Sequence, residues 1–277
     1  MELYNQVSYR ASRLITLDYS TSFGSSTKLF AKNIRPHIFA IYGLVRITDE
    51  IVDSYRGPDA GAVLDSLEAE VYSALQRRYS ANPVVQAFTL TANQFGINKE
   101  LIKPFFDSMR MDLEPSRYSD DQYQAYIYGS AEVVGLMCLK VFTEGNKAEY
   151  KKLEAGARHL GAAYQKVNFL RDLAADYKIL GRVYFPGVEF ETFDETTKNQ
   201  VIDDIEADFK QAEIAISQLP AGCRLPVKMS YIYYRELLNK LRYAPAEEIK
   251  KTRVRVSDLY KAKLFLTTVL REKLSGR

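Results

Sequence analysis

The sequence predicts an all-α protein, because two kinds of hydrophobic pattern agree. Apolar residues recur at three- and four-residue steps, as in the stripe formed by Leu64, Leu67, Val71 and Leu75. Alternation of apolar and polar residues with a period of two, which marks half-buried strands, is scarce. We therefore expect roughly eight to ten helices. The longest are predicted at about 35–53, 121–143, 149–180 and 199–218.

The chain is long enough for one large domain. Its 277 residues are 47% hydrophobic, which suffices for a sizeable core. We see no repeat, no low-complexity segment and no Gly/Ser linker, so we expect a single domain over residues 1–277. The prolines fall mostly at gaps between helical patterns: Pro36, Pro58, Pro83, Pro104, Pro115, Pro186, Pro220, Pro226 and Pro245.

The overall charge and the scarcity of Cys and His exclude several functional classes. A net charge of +3 argues against nucleic acid as the main partner, because such domains carry a marked basic excess. Cys138 and Cys223 are the only cysteines, so we expect no disulfide framework and a reducing compartment. With only His37 and His159, neither a His/Cys zinc site nor a Ser-His-Asp triad is expected. A bound metal would need carboxylate ligands, which favours a hard cation such as magnesium.

The sequence predicts a cytoplasmic protein. Residues 1–20 lack a basic start followed by an apolar run, so we expect no secretory signal. No stretch approaches about 18 consecutive apolar residues, so we expect no membrane-spanning helix. Peripheral contact with a membrane, for release of an apolar product, stays open. The pattern indicates no particular oligomeric state.

The first long helix carries a narrow charged stripe on an otherwise apolar cylinder. Its segment, IFAIYGLVRITDEIVDSY at residues 38–55, places Arg46, Asp49, Glu50 and Asp53 within roughly 100° of one another. An ordinary surface helix instead carries an apolar stripe on an otherwise polar cylinder. A buried helix with such a stripe must direct it at something polar.

A later helix repeats this arrangement. Gln165, Asn168, Asp172 and Asp176 step by three, four and four residues and span about 80° of the helix. Arg171 lies at the edge of this stripe, and the remaining residues are mostly apolar. Each stripe thus contains two aspartates one helical turn apart, an arrangement that is unfavourable unless something compensates for the like charges.

Three interpretations fit the two stripes. Each stripe can be the solvated face of an ordinary helix, or both can belong to a buried salt-bridge network with Arg46 and Arg171. The second interpretation leaves carboxylates unpaired, which is costly in a protein interior. In the third interpretation the stripes face each other across a cavity and hold divalent cations, which in turn recruit a diphosphate. Magnesium takes one or two carboxylates per ion and leaves its other positions to water and phosphate.

The same residues resemble a known family. DEIVD (residues 49–53) and QKVNFLRDLAAD (165–176) resemble the acidic motifs of the squalene/phytoene synthase family of class I isoprenoid synthases. Other segments match the family's motifs in the same order: YSTSFGSSTKLF (19–30), AIYGLVRITDEIVD (40–53), MRMDL (109–113), YIYGSAEVVGLM (126–137), GRVYFP (181–186) and TRVRVS (252–257). Together they cover most of the chain, which resembles the bacterial phytoene synthases most closely.

The resemblance implies a single-domain isoprenoid synthase fold with helices around a central cavity. It also implies head-to-head condensation of two prenyl diphosphates. We expect two geranylgeranyl diphosphates to give phytoene through a cyclopropyl (prephytoene) diphosphate, with release of diphosphate. One alternative is a dehydrosqualene or squalene synthase that uses two farnesyl diphosphates. Another is a non-catalytic assembly-factor relative, although both Asp pairs are retained here. Chain-elongating synthases and terpene cyclases are disfavoured because both acidic motifs read Asp-x-x-x-Asp.

The resemblance also assigns roles to individual residues. The metal ligands it implies are Asp49, Asp53, Asn168, Asp172 and Asp176. The catalytic set comprises these four aspartates with Tyr126 and Gln165 near the carbocation. The substrate-binding set comprises Ser20, Ser22, Phe23, Tyr42, Arg46, Asn168, Arg171, Tyr234 and Arg253. Magnesium is the expected cofactor, with manganese as an alternative. NADPH is not expected, and no GxGxxG fingerprint is present.

Three positions depart from the family's pattern. Glu50 stands where the family commonly has a second aspartate, so it ranks below Asp49 and Asp53 as a ligand. Glu132 stands where members usually carry a small residue, which puts a charge beside the expected tail cavity. The stretch from Asp176 to Arg182 is one residue longer than usual, so the match of the GRVYFP motif is less secure.

Overall fold

The computed structural model describes residues 1–19, 26–55, 57–113 and 118–275. Every regular element in these ranges is helical, which confirms the all-α prediction. The helices are α1 (Glu2–Tyr19), α2 (Arg35–Asp49, continued as a π-helix over Glu50–Tyr55), α3 (Ala60–Arg77), α4 (Pro83–Phe95), α5 (Lys99–Met111), α6 (Asp120–Phe142, π-helical over Tyr128–Glu132), α7 (Lys147–Ala175, continued as a π-helix over Asp176–Leu180), α8 (Glu195–Ser217), α9 (Ala221–Tyr243), the single turn α10 (Ala246–Ile249) and α11 (Asp258–Ser275).

The four helices predicted to be longest all exist, with ends within four residues of those expected. The four helices expected to be longest did not include α9, whose 23 residues equal those of α8 in length. Pro226 lies inside α9 and Pro104 lies inside α5, so the expectation that prolines mark gaps is wrong at these two positions. Pro226 cannot donate to the carbonyl of Gly222, four residues earlier, and Ala31 N donates to that carbonyl instead (2.9 Å).

Polar residues just before several helices explain where those helices begin. Asn82 accepts from Val84 N and Val85 N at the start of α4, with Pro83 in the first turn. Ser119 and Gln122 form a reciprocal capping box at the start of α6. Side chains also cap the two long helices that follow, with Asn146 before α7 and Asp194 before α8.

The core consists of two apolar clusters with a cavity between them. The first cluster is built mainly from α2 to α6, with Phe88, Phe105 and Phe106 among its most buried members. The second is built mainly from α7, α8 and α9 and the segment between α7 and α8. Leu160 of α7 packs against both clusters and lines the cavity, so the cavity takes its walls from the two halves of the core.

Small residues bring α7 close to its neighbours beside this cavity. A Cβ atom on Gly156 would lie 2.1 Å from Ala215 Cβ of α8, and a Cβ on Gly161 would lie 2.7 Å from Ala131 O of α6. Neither distance can accommodate a methyl group without movement of a helix backbone. The glycines therefore set the spacing of three helices that line the cavity.

One helix in the described ranges, α6, is long and apolar enough to meet the length and composition of a membrane span. The expectation of no such helix considered only uninterrupted apolar runs and overlooked this segment. However, 56% of its most apolar window is buried inside the protein, as in the core helix of a globular domain.

Candidate active site

A cavity of about 600 Å³ opens between the two core clusters. Its charged lining residues are Arg46, Asp49, Asp53, Asp112, Arg171, Asp172, Asp176, Arg182 and Arg253. Its large apolar lining residues include Phe30, Ile38, Leu139, Phe142, Leu153, Leu160, Ile216 and Leu219. The charged residues contact one another, as described below, so charge is gathered in one part of an otherwise apolar chamber.

The first acidic stripe divides between the cavity and a groove outside it. Asp49 and Asp53 line the cavity, whereas Glu50 lines a separate apolar groove between α1, α2 and α3. Arg46 lies between these surfaces, with Nη1 3.4 Å from Asp49 Oδ2 and Nη2 3.3 Å from Glu50 Oε2. Its guanidinium also lies over the ring of Tyr19, 4.3 Å from the centroid. The lower rank given to Glu50 from the sequence thus agrees with its position.

The second acidic stripe lines the cavity along its whole length. Gln165, Asn168, Arg171, Asp172 and Asp176 all belong to the wall. Asp172 Oδ1 accepts from Arg171 Nε at 3.0 Å and lies 2.6 Å from the Nε of Arg253, which precedes α11. The basic motif predicted near the C-terminus therefore reaches the acidic motif of α7.

Arg182 joins the two acidic motifs, and the sequence did not single it out as a site residue. Its side chain is only 2% exposed, and Nη1 lies 3.2 Å from both Asp53 Oδ1 and Asp112 Oδ1. Its backbone N donates to the carbonyl of Asp176 at 3.0 Å. The buried guanidinium of Arg182 therefore contacts Asp53 of α2 and Asp112 just after α5. The backbone of Arg182 is hydrogen-bonded to Asp176 at the end of α7.

Burial and mutual repulsion raise the pKa of three carboxyl groups in the cavity. Desolvation, with the nearby Asp53, raises the pKa of Asp49 to about 7. Desolvation, with Asp172 and then Asp53, raises the pKa of Asp176 to about 7. Desolvation raises the pKa of Asp112 to about 6, although Arg182 and two tyrosine hydroxyls oppose the shift. Because Asp53 acts on both Asp49 and Asp176, the two acidic motifs face each other.

The residues present fit a hard divalent cation. The donors are carboxylate and amide oxygens, the ligands that magnesium prefers. Burial, together with neighbouring aspartates, raises the pKa of Asp49 and Asp176, and a bound cation would stabilise their charged forms. Within the ranges that the structure describes, no group of three or more His, Cys, Asp or Glu side chains is gathered closely enough to enclose a metal. A partial shell suits magnesium, which completes its coordination with water and substrate phosphate.

Asp112 is also the centre of an aromatic hydrogen-bond network. Tyr126 donates to Asp112 Oδ2 at 2.6 Å, and Tyr184 donates to Oδ1 at 3.2 Å. The Tyr184 ring stacks on Phe169 at 3.9 Å between centroids. Tyr126, predicted near the carbocation, does line the cavity, but its hydroxyl is engaged with Asp112.

A second group of tyrosines lines the cavity beyond Asn168. Tyr234 donates to Asn168 Oδ1 at 3.3 Å, and its ring stacks on Tyr164 with 4.0 Å between centroids. Tyr42 of α2 also lines the cavity, and burial raises its pKa well above the ordinary value. These three tyrosines therefore form an aromatic part of the cavity lining.

Two sets of sequence predictions remain to be placed, and three residues of the site were not predicted. Ser20, Ser22 and Phe23 lie outside the described residues. Glu132 is buried beside the cavity wall, and its carboxylate accepts from Arg158 Nε of α7 at 2.5 Å, so its charge is paired. Asp112, Arg182 and Tyr184 were not predicted as site residues, although the segments MRMDL and GRVYFP that contain them were noted as motifs.

Solved structures of similar shape identify the fold. A dehydrosqualene synthase with a bound ligand superposes with a TM-score of 0.82 over 99% of this chain and 98% of its own, at 20% sequence identity. A squalene synthase from Alicyclobacillus acidocaldarius gives a TM-score of 0.76 over 88% of this chain and 97% of its own, at 19% identity. The expected isoprenoid synthase fold around a central cavity is confirmed.

The chain belongs to the squalene/phytoene synthase family, whose family model matches residues 17–260. It is 33% identical over 263 residues to the 15-cis-phytoene synthase of Synechococcus elongatus, covering 83% of this chain and 82% of that protein. It is 31% identical over 245 residues to the chloroplastic phytoene synthase 3 of Zea mays, covering 81% of this chain. The match spans only 57% of the maize protein, and 59% and 58% of the chloroplastic phytoene synthases of Solanum lycopersicum (phytoene synthase 1) and an Oncidium hybrid cultivar.

Proposed function

We propose that this chain is a prenyltransferase that joins two prenyl diphosphates head to head, a step of isoprenoid and carotenoid biosynthesis. The proposed substrates are two geranylgeranyl diphosphates, and the proposed product is phytoene. The observation that carries the proposal is the convergence of Asp49 and Asp53 with Asp172 and Asp176 on one cavity that is otherwise largely apolar. The cyanobacterial relative named 15-cis-phytoene synthase supports the choice of C20 substrates.

The proposed reaction has two halves, and each releases one diphosphate and one proton. In the first half, an allylic C–O bond breaks and a double bond of the second substrate attacks the resulting cation. A proton leaves as the cyclopropyl (prephytoene) diphosphate closes. In the second half, the remaining diphosphate departs, the ring rearranges, and loss of a proton gives phytoene. No hydride enters, so NADPH is not required.

Carboxylate and amide groups on the two facing motifs would hold the cofactor. We assign this role to Asp49, Asp53, Asn168, Asp172 and Asp176. Magnesium, or manganese as an alternative, would supply Lewis-acid assistance to the departure of diphosphate when bound. Arginines hold one aspartate of each acidic pair. Arg171 and Arg253 contact Asp172, and Arg46 contacts Asp49.

The arginines of the cavity divide into two roles. Arg46, Arg171 and Arg253 line the cavity and are partly exposed, so we propose that they bind diphosphate oxygens, for which a planar guanidinium is well suited. Arg182 is buried and bonded on several sides within the protein. We assign it the positioning of Asp53 and Asp112 rather than contact with substrate.

The apolar part of the cavity would hold the prenyl tails and keep water from the allylic cation. Aromatic faces stabilise a passing cation without reacting with it. Tyr42 and Tyr234 line the cavity and are proposed to supply such faces, and Gln165 and Tyr126 line the same cavity. The predicted contacts of Ser20 and Ser22 with phosphate, and of Phe23 with the cation, are part of the proposal on the strength of the family resemblance.

Product analysis tests this proposal and separates it from its alternative. The protein is incubated with magnesium and either geranylgeranyl or farnesyl diphosphate, with and without NADPH, and the lipid products are extracted. We expect a C40 hydrocarbon from the C20 substrate without NADPH. A C30 product from the C15 substrate alone would identify a dehydrosqualene or squalene synthase. Absence of any coupled product from both would contradict the proposed enzyme activity.

A further inference from the structure

The outer face of α11 carries an exposed stripe of leucines. Leu259, Leu266 and Leu270 are 87%, 61% and 58% exposed. Their spacing of seven and four residues places them within about 40° of one another on the helix, so they form one line along its axis. Exposures of this size mean that no described part of the chain covers the stripe.

The opposite face of α11 is already packed against the protein. Thr268 is buried, Leu264 and Phe265 are half-buried, and the helix contacts α9. The leucine stripe therefore faces outward, where an ordinary surface helix presents charged or polar residues. Isolated exposed leucines are common, but an aligned set opposite a packed face indicates an interaction surface.

The segment that contains α11 is strongly basic. Residues 250–277 include nine Lys or Arg and two Asp or Glu, a net charge of +7, whereas the whole chain carries +3. Residues 1–249 are therefore net negative. Lys251 and Arg255 are exposed just before α11, and Lys263 is exposed at about 40° from Leu259 on the helix. Positive charge thus lies just before α11 and beside the leucine stripe at Lys263, in contrast to the net negative charge of the rest of the chain.

We propose that the outer face of α11 is a docking surface for an anionic lipid bilayer. Leucines on one face of a helix insert at the boundary between headgroups and acyl chains, while flanking lysines reach back to the phosphates. Anionic lipids attract a basic segment and add to the apolar contact. The aligned leucines of α11 provide the apolar contact, and the local excess of basic residues provides the attraction to anionic headgroups.

The charge of the segment disfavours the two other occupants. A second copy docked through the same face would bring two segments of +7 together, which opposes a symmetric dimer. Nucleic acid would be attracted by the charge but would leave the three leucines exposed. The bilayer is the partner that uses both features.

This surface lies beside the charged part of the cavity. Arg253, five residues before α11, is bonded to Asp172 on the cavity wall. Docking through α11 would therefore hold the chain with that part of the cavity near the lipid. The inference rests on exposure and charge, and it holds whether or not the proposed condensation is correct.

Vesicle flotation of the full-length protein tests the surface. We expect binding to vesicles of phosphatidylcholine with phosphatidylglycerol at about physiological salt, little binding to phosphatidylcholine alone, and release at high salt. The triple variant Leu259→Gln/Leu266→Gln/Leu270→Gln should bind at least about tenfold more weakly. Lys263→Glu should weaken binding to anionic vesicles only.

A matched control uses the exposed leucines of another helix. Leu3 and Leu14 of α1 are 71% and 62% exposed, so Leu3→Gln/Leu14→Gln removes comparable surface leucines elsewhere and should bind as the unmodified protein does. Equal binding of the triple variant, or no binding of the unmodified protein, would overturn the proposal. Sedimentation equilibrium tests whether the face binds a second copy. A dimer formed by the unmodified protein but not by the triple variant would assign the face to a second copy instead.

Discussion

Arg182 Nη1 lies 3.2 Å from Asp53 Oδ1, although 129 residues separate the two in the sequence. The same nitrogen lies 3.2 Å from Asp112 Oδ1, so one arginine pairs with carboxylates of α2 and of the segment just after α5. This contact orients Asp53 toward the second acidic motif, because the Arg182 backbone is bonded to Asp176. Positioning of the two motifs thus depends on a residue outside both.

Arg182→Gln should therefore lower both stability and activity. The change leaves Asp112 buried without its charge partner, and breaking a buried ion pair from one side costs roughly 3–5 kcal/mol. Urea unfolding measures the loss. Lys103→Gln is the control, since Lys103 pairs with Asp107 at the surface and its loss should cost about 1 kcal/mol or less. Equal costs for the two variants would contradict the role of Arg182.

Asp49→Asn and Asp172→Asn should each reduce magnesium-dependent diphosphate release from geranylgeranyl diphosphate by at least about a hundredfold. Each change removes a negative oxygen from the facing motifs but keeps the size of the side chain, so the fold should be retained by circular dichroism. Asp203→Asn, at an exposed position of α8, is the matched control and should leave release unchanged. Full activity in either cavity variant would remove that carboxylate from the proposed site.

His37 should make stability depend on pH. Burial lowers its pKa from 6.5 to about 4, while Tyr9 and Thr91 lie within hydrogen-bond distance of Nδ1. As the pH falls below about 6.5, the unfolded chain binds a proton at His37 that the folded protein binds only near pH 4. The contribution of His37 to the free energy of unfolding should therefore decrease across this window, while the raised pKa values of Asp49, Asp112 and Asp176 contribute in the opposite direction. NMR titration measures the pKa directly, and a value near 6.5 in the folded protein would be inconsistent with this expectation.

The contribution of His37 should be absent in His37→Gln, so the variant should gain stability relative to the unmodified protein as the pH falls from 7 to 4. Without the imidazole, the folded and unfolded states no longer differ in proton uptake at this position. Chemical unfolding of both proteins between pH 4 and pH 7 gives the comparison, and parallel curves would show that another group dominates.

Gly156→Ala should destabilise the protein by about 1–3 kcal/mol, because its methyl group would meet Ala215 Cβ across the contact of α7 and α8. The double variant Gly156→Ala/Ala215→Gly exchanges the two residues and should recover most of the loss. Thermal unfolding of the single and double variants provides the test. Failure of the exchange to restore stability would mean that the two positions are not the point of contact.

The sequence predicted the helices and both acidic stripes because periodicity records which side of a helix is apolar. It could not predict Arg182 or Asp112 as site residues, since one follows α7 in a loop and the other lies just after α5, where no periodic pattern reports orientation. Their importance arises from burial against distant segments. Glu50 shows that membership of the stripe does not place every residue in the cavity, because it lies within the stripe on the helix but lines a groove outside the cavity. Pro226 was misread because its helix depends on a tertiary hydrogen bond from Ala31.

In the described ranges, all three π-helical segments contribute to the cavity wall, through Asp53, through Ser130 and Ala131, and through Asp176. A π turn contains an extra residue relative to an α turn. Deleting one residue there would restore an α-helix and remove the wide turn that carries these side chains at the cavity wall. Single-residue deletions at these turns should therefore disable the protein, whereas deletions in its surface loops are tolerated. In a library of random deletions, the wide turns would stand out as intolerant positions.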